Sequence, residues 1–277
     1  MSNNIIFLKN KTTPLDKYEI ESKDNKYSDV QFLPLIAHTH HPIEALNLLR
    51  DNNYLNSLRY LIVTSQRTVE CLNDSIIPTL TEEQKKKLFG LSVYTVGPAT
   101  GDFLRRVGFQ HVKGDDMGNG DKLSDFIIKD IGNDYQGEIL SFVGAIRRDI
   151  IRKKLTQNGL AVKEVVTYET NVLNDNLDRF QNVLIDIADK EECDGKSCCW
   201  VVIFSPQGAE DIVKFLKQHP TIKDKLDLKV SCIGPTTNDY LTKNGMNPQV
   251  VSPQPTPDSL LDAIDGFERR SNSPISH

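Results

Sequence analysis

One tyrosine, three arginines and a set of serine and threonine hydroxyls are the side chains of this sequence best placed for chemistry on a small anion. Tyr168 closes the β-branched run Val165-Val166-Thr167, at an expected crossing between two domains. On position alone the favoured reading is a buried tyrosine that holds two domains together. Arg147 and Arg148 follow the apolar run Ile139-Leu140-Ser141-Phe142-Val143, and Arg67 comes just after Ser65. The planar guanidinium fork of arginine suits carboxylates. The neighbouring Arg152, Lys153 and Lys154 are expected on a solvated helix face.

The hydroxyls occur at a particular kind of junction. Leu61-Ile62-Val63-Thr64-Ser65 and Val202-Ile203-Phe204-Ser205 each pass from an apolar run to a serine, a preferred N-cap whose oxygen accepts from free helical N–H groups. Pro206 is expected at the first helical position, where its missing N–H costs nothing. Gly97-Pro98 and Gly234-Pro235-Thr236-Thr237 repeat the arrangement, while Asn119 opens a helix near Asp121 and Gly208 follows the Ser205 turn. Helix starts rich in free N–H groups and hydroxyls suit anions.

Several chemistries find no support. Gly118-Asn119-Gly120 has Leu123 where a dinucleotide loop needs its third glycine, and no phosphate-loop lysine motif occurs. Cys193, Cys198 and Cys199 are expected as surface thiols in a loop, since their spacing fits no common zinc site. His38, His40 and His41 beside Pro42 are expected in a solvated linker, so neither a metal nor a cofactor is expected. The 277 residues carry 33 basic and 38 acidic side chains, a net charge of −5, which argues against nucleic acid as a partner. No apolar stretch nears the roughly 20 residues of a membrane span, and no signal-peptide core is present. Five cysteines without a secretion signal fit reduced thiols in the cytoplasm.

The elements that must position these residues come in two copies. Val63-Thr64-Ser65-Gln66-Arg67-Thr68-Val69-Glu70 pairs with Ile203-Phe204-Ser205-Pro206-Gln207-Gly208-Ala209-Glu210. Val96-Gly97-Pro98-Ala99-Thr100 pairs with Ile233-Gly234-Pro235-Thr236-Thr237, and Gly108 with Gly245. Matching segments in matching order mark an internal repeat. A third strand–helix–strand unit, near residues 137–167, has its counterpart at the chain start, where strands are expected at 5–8 and 30–36. Residues 1–36 are therefore expected to fold with 172–277 as a discontinuous domain, and 37–171 to form an inserted one. Alternating strands and helices build parallel sheets flanked by helices, with ligands at the carboxyl ends of the strands. The expectation is an α/β protein of two similar domains, joined by a two-stranded linker, with a cleft between them.

These motifs, in this order, resemble the uroporphyrinogen-III synthases. The most specific are Ile233-Gly234-Pro235-Thr236-Thr237 with Leu241, Gly245 and Pro255-Thr256; Phe204-Ser205-Pro206-Gln207-Gly208; and Val165-Val166-Thr167-Tyr168-Glu169-Thr170. Thr64-Ser65 with Arg67, and Gly118-Asn119 with Lys122-Leu123, match the inserted half. Gln207 departs from the pattern, since small hydroxyl residues are common there. The resemblance implies a cofactor-free enzyme acting on hydroxymethylbilane, a linear tetrapyrrole bearing acetate and propionate groups; a monomer is the default expectation. Ring closure would invert the last pyrrole and release water through a spiro intermediate. It also places the family's tyrosine on Tyr168, as the acid or its positioner, and implies a transient contact with the preceding pathway enzyme. Substrate would lie against Thr64, Ser65, Arg67, Gly97, Asn119, Arg147, Arg148, Ser205, Gly208, Gly234, Thr236 and Thr237. Two other readings fit the two-domain pattern: a glycosyltransferase, which should show a nucleotide-diphosphate loop, and a hinged anion-binding protein, which usually carries a secretion signal.

Overall fold

The computed structural model describes residues 3–12, 15–132, 134–190 and 197–272. The chain divides into two compact units, Met1–Ala37 with Val172–His277, and His38–Asn171. The strands, in chain order, begin with β1 (Asn3–Leu8), β2 (Tyr27–Phe32), β3 (Ile36–His40), β4 (Tyr60–Val63), β5 (Ser92–Tyr94) and β6 (His111–Lys113). They continue with β7 (Glu138–Gly144), β8 (Ala161–Val172), β9 (Ser197–Ile203), β10 (Thr221–Ile222), β11 (Leu226–Ile233) and β12 (Val250–Ser252).

One sheet runs β10-β11-β9-β1-β2, with β12 also beside β11. The other runs β3-β8-β7-β4-β5-β6. The repeat is visible in this order: β9, β11 and β12 stand in the first sheet as β4, β5 and β6 do in the second, and β1 and β2 stand as β7 and β8 do. The pairings within these two sets are parallel. Short β10 is antiparallel to β11. Parallel strands need helical crossovers that cover both faces, which is why the inner strands β1, β4 and β9 are mostly apolar and buried.

Alternation sends each strand's side chains into two cores. In the first sheet Ile6, Cys199, Val201 and Ile203 pack on one side. Ile5, Phe7, Trp200 and Val202 pack on the other. In the second, Leu61, Val63, Leu140 and Phe142 face one core. Ile62 and Ile139 face the other. Each such side chain contributes about 1.5–3 kcal/mol on leaving water.

Three local expectations need correction. The run 30–36 is not one strand: β2 ends at Phe32 and β3 begins at Ile36, because Pro34 between them cannot donate to a ladder. Two of the three histidines are strand residues rather than a solvated linker. His38 and His40 belong to β3, which covers the free edge of β8: the His41 N–H donates to the Thr167 carbonyl at 2.8 Å, and His38 Nδ1 meets Thr170 Oγ1 at 2.9 Å. Cys198 and Cys199 are strand residues, not loop thiols, and Cys199 is fully buried. A free cysteine behaves as a small hydrophobe, so it extends the apolar run backwards from Trp200. Cys193, with Asp194, Gly195 and Lys196, lies outside the described residues.

Candidate active site

Tyr168 owes its orientation to an irregularity in β8. Val143 pairs with Val166, but the next residue, Gly144, pairs with Tyr168, so Thr167 is an extra residue in the ladder. A bulge of this kind bends a strand and re-aims the following side chain. Thr167 is held on the inside: it is fully buried, its hydroxyl donates to the Val143 carbonyl at 3.3 Å, and it lies 3.2 Å from the Thr68 hydroxyl. The Tyr168 ring is thereby laid over Gly144. A β-carbon on Gly144 would stand 2.6 Å from the ring's Cζ, so only glycine leaves room for the phenol there.

The phenol borders a cavity of about 420 Å³ at the carboxyl end of β4 and β7. Its lining includes Thr64, Ser65, Arg147, Arg148 and Tyr168, together with Ser141, Gly144, Arg152 and Glu164. Five of the side chains singled out in the sequence thus meet in one place. Ser65 caps the helix Gln66–Cys71, its hydroxyl accepting from the Arg67 N–H at 3.2 Å. Gly97 (φ 82°) caps the helix Pro98–Val107 at the end of β5, and Asn119 caps the helix Gly120–Ile131, accepting from the Lys122 N–H at 2.9 Å. These belong to the same unit but do not line the cavity.

The three arginines are not equivalent. Arg67 does not face a ligand freely, because Glu70, one helical turn on, accepts from its Nη1 at 2.6 and 2.8 Å. Arg147 is likewise engaged: its Nε and Nη2 both donate to Glu164 Oε2, at 3.1 and 2.6 Å. Arg152 approaches the same carboxylate at 3.9 Å. Arg148 is exposed and, among the described residues, forms no ion pair, which leaves it as the cavity's available cation. Glu164 was not singled out in the sequence. Its position an even number of residues before Tyr168 was the only signal, and the bulge interrupts that count.

In the other unit the corresponding turns follow β9 and β11. The Ser205 turn differs from its Ser65 counterpart. The helix there is Glu210–Gln218, capped by Ala209 with no side-chain bond, so Ser205 is not a cap and Pro206 is not its first residue. The intervening residues form a separate turn closed by an Ala209 N–H to Pro206 carbonyl bond at 3.1 Å, with Gly208 at φ 80°. Asn176 ties this turn down, donating to the carbonyls of Leu35 at 3.0 Å and Gly208 at 3.1 Å. Only glycine fits at 208, where a β-carbon would lie 2.9 Å from the Leu35 oxygen. Ser205 itself is exposed. Gly234 begins the helix Gly234–Lys243, and Thr236 is exposed in its first turn. Thr237 is the exception: it is 3% exposed and its hydroxyl donates to the Phe204 carbonyl at 3.2 Å, which ties the helix to the residue after β9 rather than facing a ligand.

Two parallel-sheet units on one repeated plan, with glycine turns and hydroxyls at their strand ends and an unpaired arginine in one of them, define a two-domain α/β protein. Residues 26–262 match the family described as uroporphyrinogen-III synthase HemD. The chain is 48% identical over 273 residues to uroporphyrinogen-III synthase of Saccharomyces cerevisiae, covering 96% of each chain. It is 34% identical over 271 residues to that of Schizosaccharomyces pombe, covering 97% of this chain and 98% of the other. The chain belongs to the uroporphyrinogen-III synthase family and is a cyclising lyase of haem and tetrapyrrole biosynthesis. Solved structures agree in fold: the uroporphyrinogen-III synthetase of Helicobacter pylori has a TM-score of 0.57 at 18% identity, covering 96% of this chain and all of the other. A mutant uroporphyrinogen III synthase of Thermus thermophilus has a TM-score of 0.53 at 13% identity, covering 98% of this chain and all of the other. No helix among the described residues is long and apolar enough to cross a membrane.

Proposed function

We propose that this chain converts hydroxymethylbilane to uroporphyrinogen III, inverting the last pyrrole ring and releasing one water. The observation that carries this reading is the Tyr168 phenol, aimed by the bulge over Gly144 into a cavity that also holds Arg148, Thr64 and Ser65. The reaction needs a proton delivered to a departing hydroxyl, and a phenol within hydrogen-bond reach can supply or steer it. It also needs a flexible chain folded so that the substituted carbon of the last ring meets the electrophile, an effect of orientation. Arg148 is assigned to a substrate carboxylate by its free guanidinium.

Ser65, Thr64, Gly97 and Asn119 in one unit, and Ser205, Gly208, Gly234 and Thr236 in the other, are assigned to the remaining acetate and propionate groups. A polyanion can be held by a protein of net charge −5 because these donors act locally. The transformation loses water without changing oxidation state, so it is balanced with no redox partner. The transient contact with the enzyme supplying the bilane rests on the family resemblance alone.

The test generates hydroxymethylbilane in place, adds purified protein, oxidises the products and separates the uroporphyrin isomers. Type III in excess over a protein-free control supports the reading. Type I alone overturns it and turns attention to other small anions.

A further inference from the structure

Arg147 and Arg148 are adjacent in the chain and line the same cavity, yet only one of them is free. We infer that Glu164 is a positioning residue for Tyr168, acting by holding Arg147 as a strut, and that Arg147 does not bind substrate. Four observations converge. The Arg147 guanidinium sets Nε and Nη2 on one Glu164 oxygen at 3.1 and 2.6 Å. Its remaining Nη1 reaches back to the carbonyls of Gly144 and Ala145 at 3.5 and 3.4 Å. The Glu164 side chain is only 11% exposed, so removing either partner would leave a partly buried charge uncompensated. The turn so clamped begins with Gly144, whose missing β-carbon makes room for the Tyr168 ring, and the Ala145 N–H donates to the Tyr168 carbonyl at 2.9 Å.

The consequence is a closed mechanical loop. Glu164 and Tyr168 stand on β8, Gly144 ends β7 and leads through Ala145 to Arg147, and the ion pair fastens this turn to β8 three residues before the extra residue Thr167. A bulge leaves a ladder locally weak. The strut restores at the side-chain level the constraint that the backbone gives up there, and so fixes the floor on which the phenol rests. Without it the turn can lift from β8 and the phenol loses its support.

This inference rests on the reaction proposed above, and its test separates the two. Glu164→Gln and Arg147→Gln should each lower kcat by about ten- to a hundredfold, the range in which small misplacements of a reacting group are felt, with KM changed little. Arg148→Gln should instead raise KM. The charge-swapped pair, Arg147→Glu with Glu164→Arg, should recover much of the lost kcat, and thermal melts of all variants would separate misfolding from misplacement. Unchanged kcat in Glu164→Gln, or a KM increase in Arg147→Gln like that of Arg148→Gln, overturns the assignment. If the wild-type protein forms no type III isomer, the proposed reaction fails. The strut is then read from ring-carbon NMR of labelled tyrosine, with the Tyr168 signal identified by its loss in Tyr168→Phe. Glu164→Gln should shift or broaden that signal and Arg148→Gln should not; the reverse pattern overturns the strut.

Discussion

At the residue scale, the contrast between like side chains is what matters most. Tyr168 can be deprived of its hydroxyl without touching the ring that covers Gly144. Tyr168→Phe should therefore lower turnover by about 10²-fold or more, as expected for a positioned proton donor, while the thermal midpoint stays near wild type. Turnover close to wild type would remove Tyr168 from the chemistry. Gly144→Ala approaches the same group from beneath: its methyl would lie 2.6 Å from Cζ, and the ring is the part able to yield. Activity should fall with at most about 1–3 kcal/mol of destabilisation, measured by denaturant titration beside the isomer assay. The identity of both residues was open to inspection in the sequence. Their contact was not, because it depends on one extra residue in a ladder, and a bulge leaves no mark in a run of β-branched side chains.

At the element scale, two copies of one strand-to-helix junction have diverged. Ser65 accepts from the Arg67 N–H and caps a helix, while Ser205 precedes a separate turn and caps nothing. Ser65→Ala should cost about 1 kcal/mol of stability, and Ser205→Ala less than about 0.5 kcal/mol, both read from urea midpoints. Equal losses would mean that the second serine has a structural partner in solution. The sequence shows the two serines as equals, since each ends an apolar run. What separates them is Gly208, whose left-handed backbone is locked against Leu35 and Asn176, residues distant in the chain. The same holds for Thr236 and Thr237: neighbours of one type, one exposed and one buried against Phe204. Helical phase decides between them, and that phase is fixed by where the helix docks against Phe204.

At the scale of the whole molecule, the chain start is structural. β1 is an interior strand of its sheet, between β2 and β9, and the polar anchor beside it is Asp16. This carboxylate is 1% exposed and caps the helix Lys17–Asn25. Burial alone would raise its pKa, but the Lys9 ammonium at 2.6 Å and the Thr12 and Tyr18 N–H groups together outweigh burial and hold the pKa below the usual carboxylate value. A carboxyl whose folded pKa is depressed adds stability that is fully present above its unfolded value, about 3.9, and is lost as pH falls through the depressed one. Asp16→Asn should cost about 2 kcal/mol near neutrality, and the gap from wild type should close as pH drops below about 4, seen in melts across pH. A gap independent of pH would show that the carboxylate's charge is not what it contributes. The sequence by itself determined the α/β class, the internal repeat and the strand ends where hydroxyls and glycines gather, because those follow from periodicity, caps and turns set by near neighbours. Only the tertiary structure decided which arginine stays free, which serine caps and how Tyr168 is aimed. Each of these depends on ladder register and on a partner far away in the chain, such as Glu164 for Arg147 or Leu35 for Gly208, and local residue pattern carries no record of either.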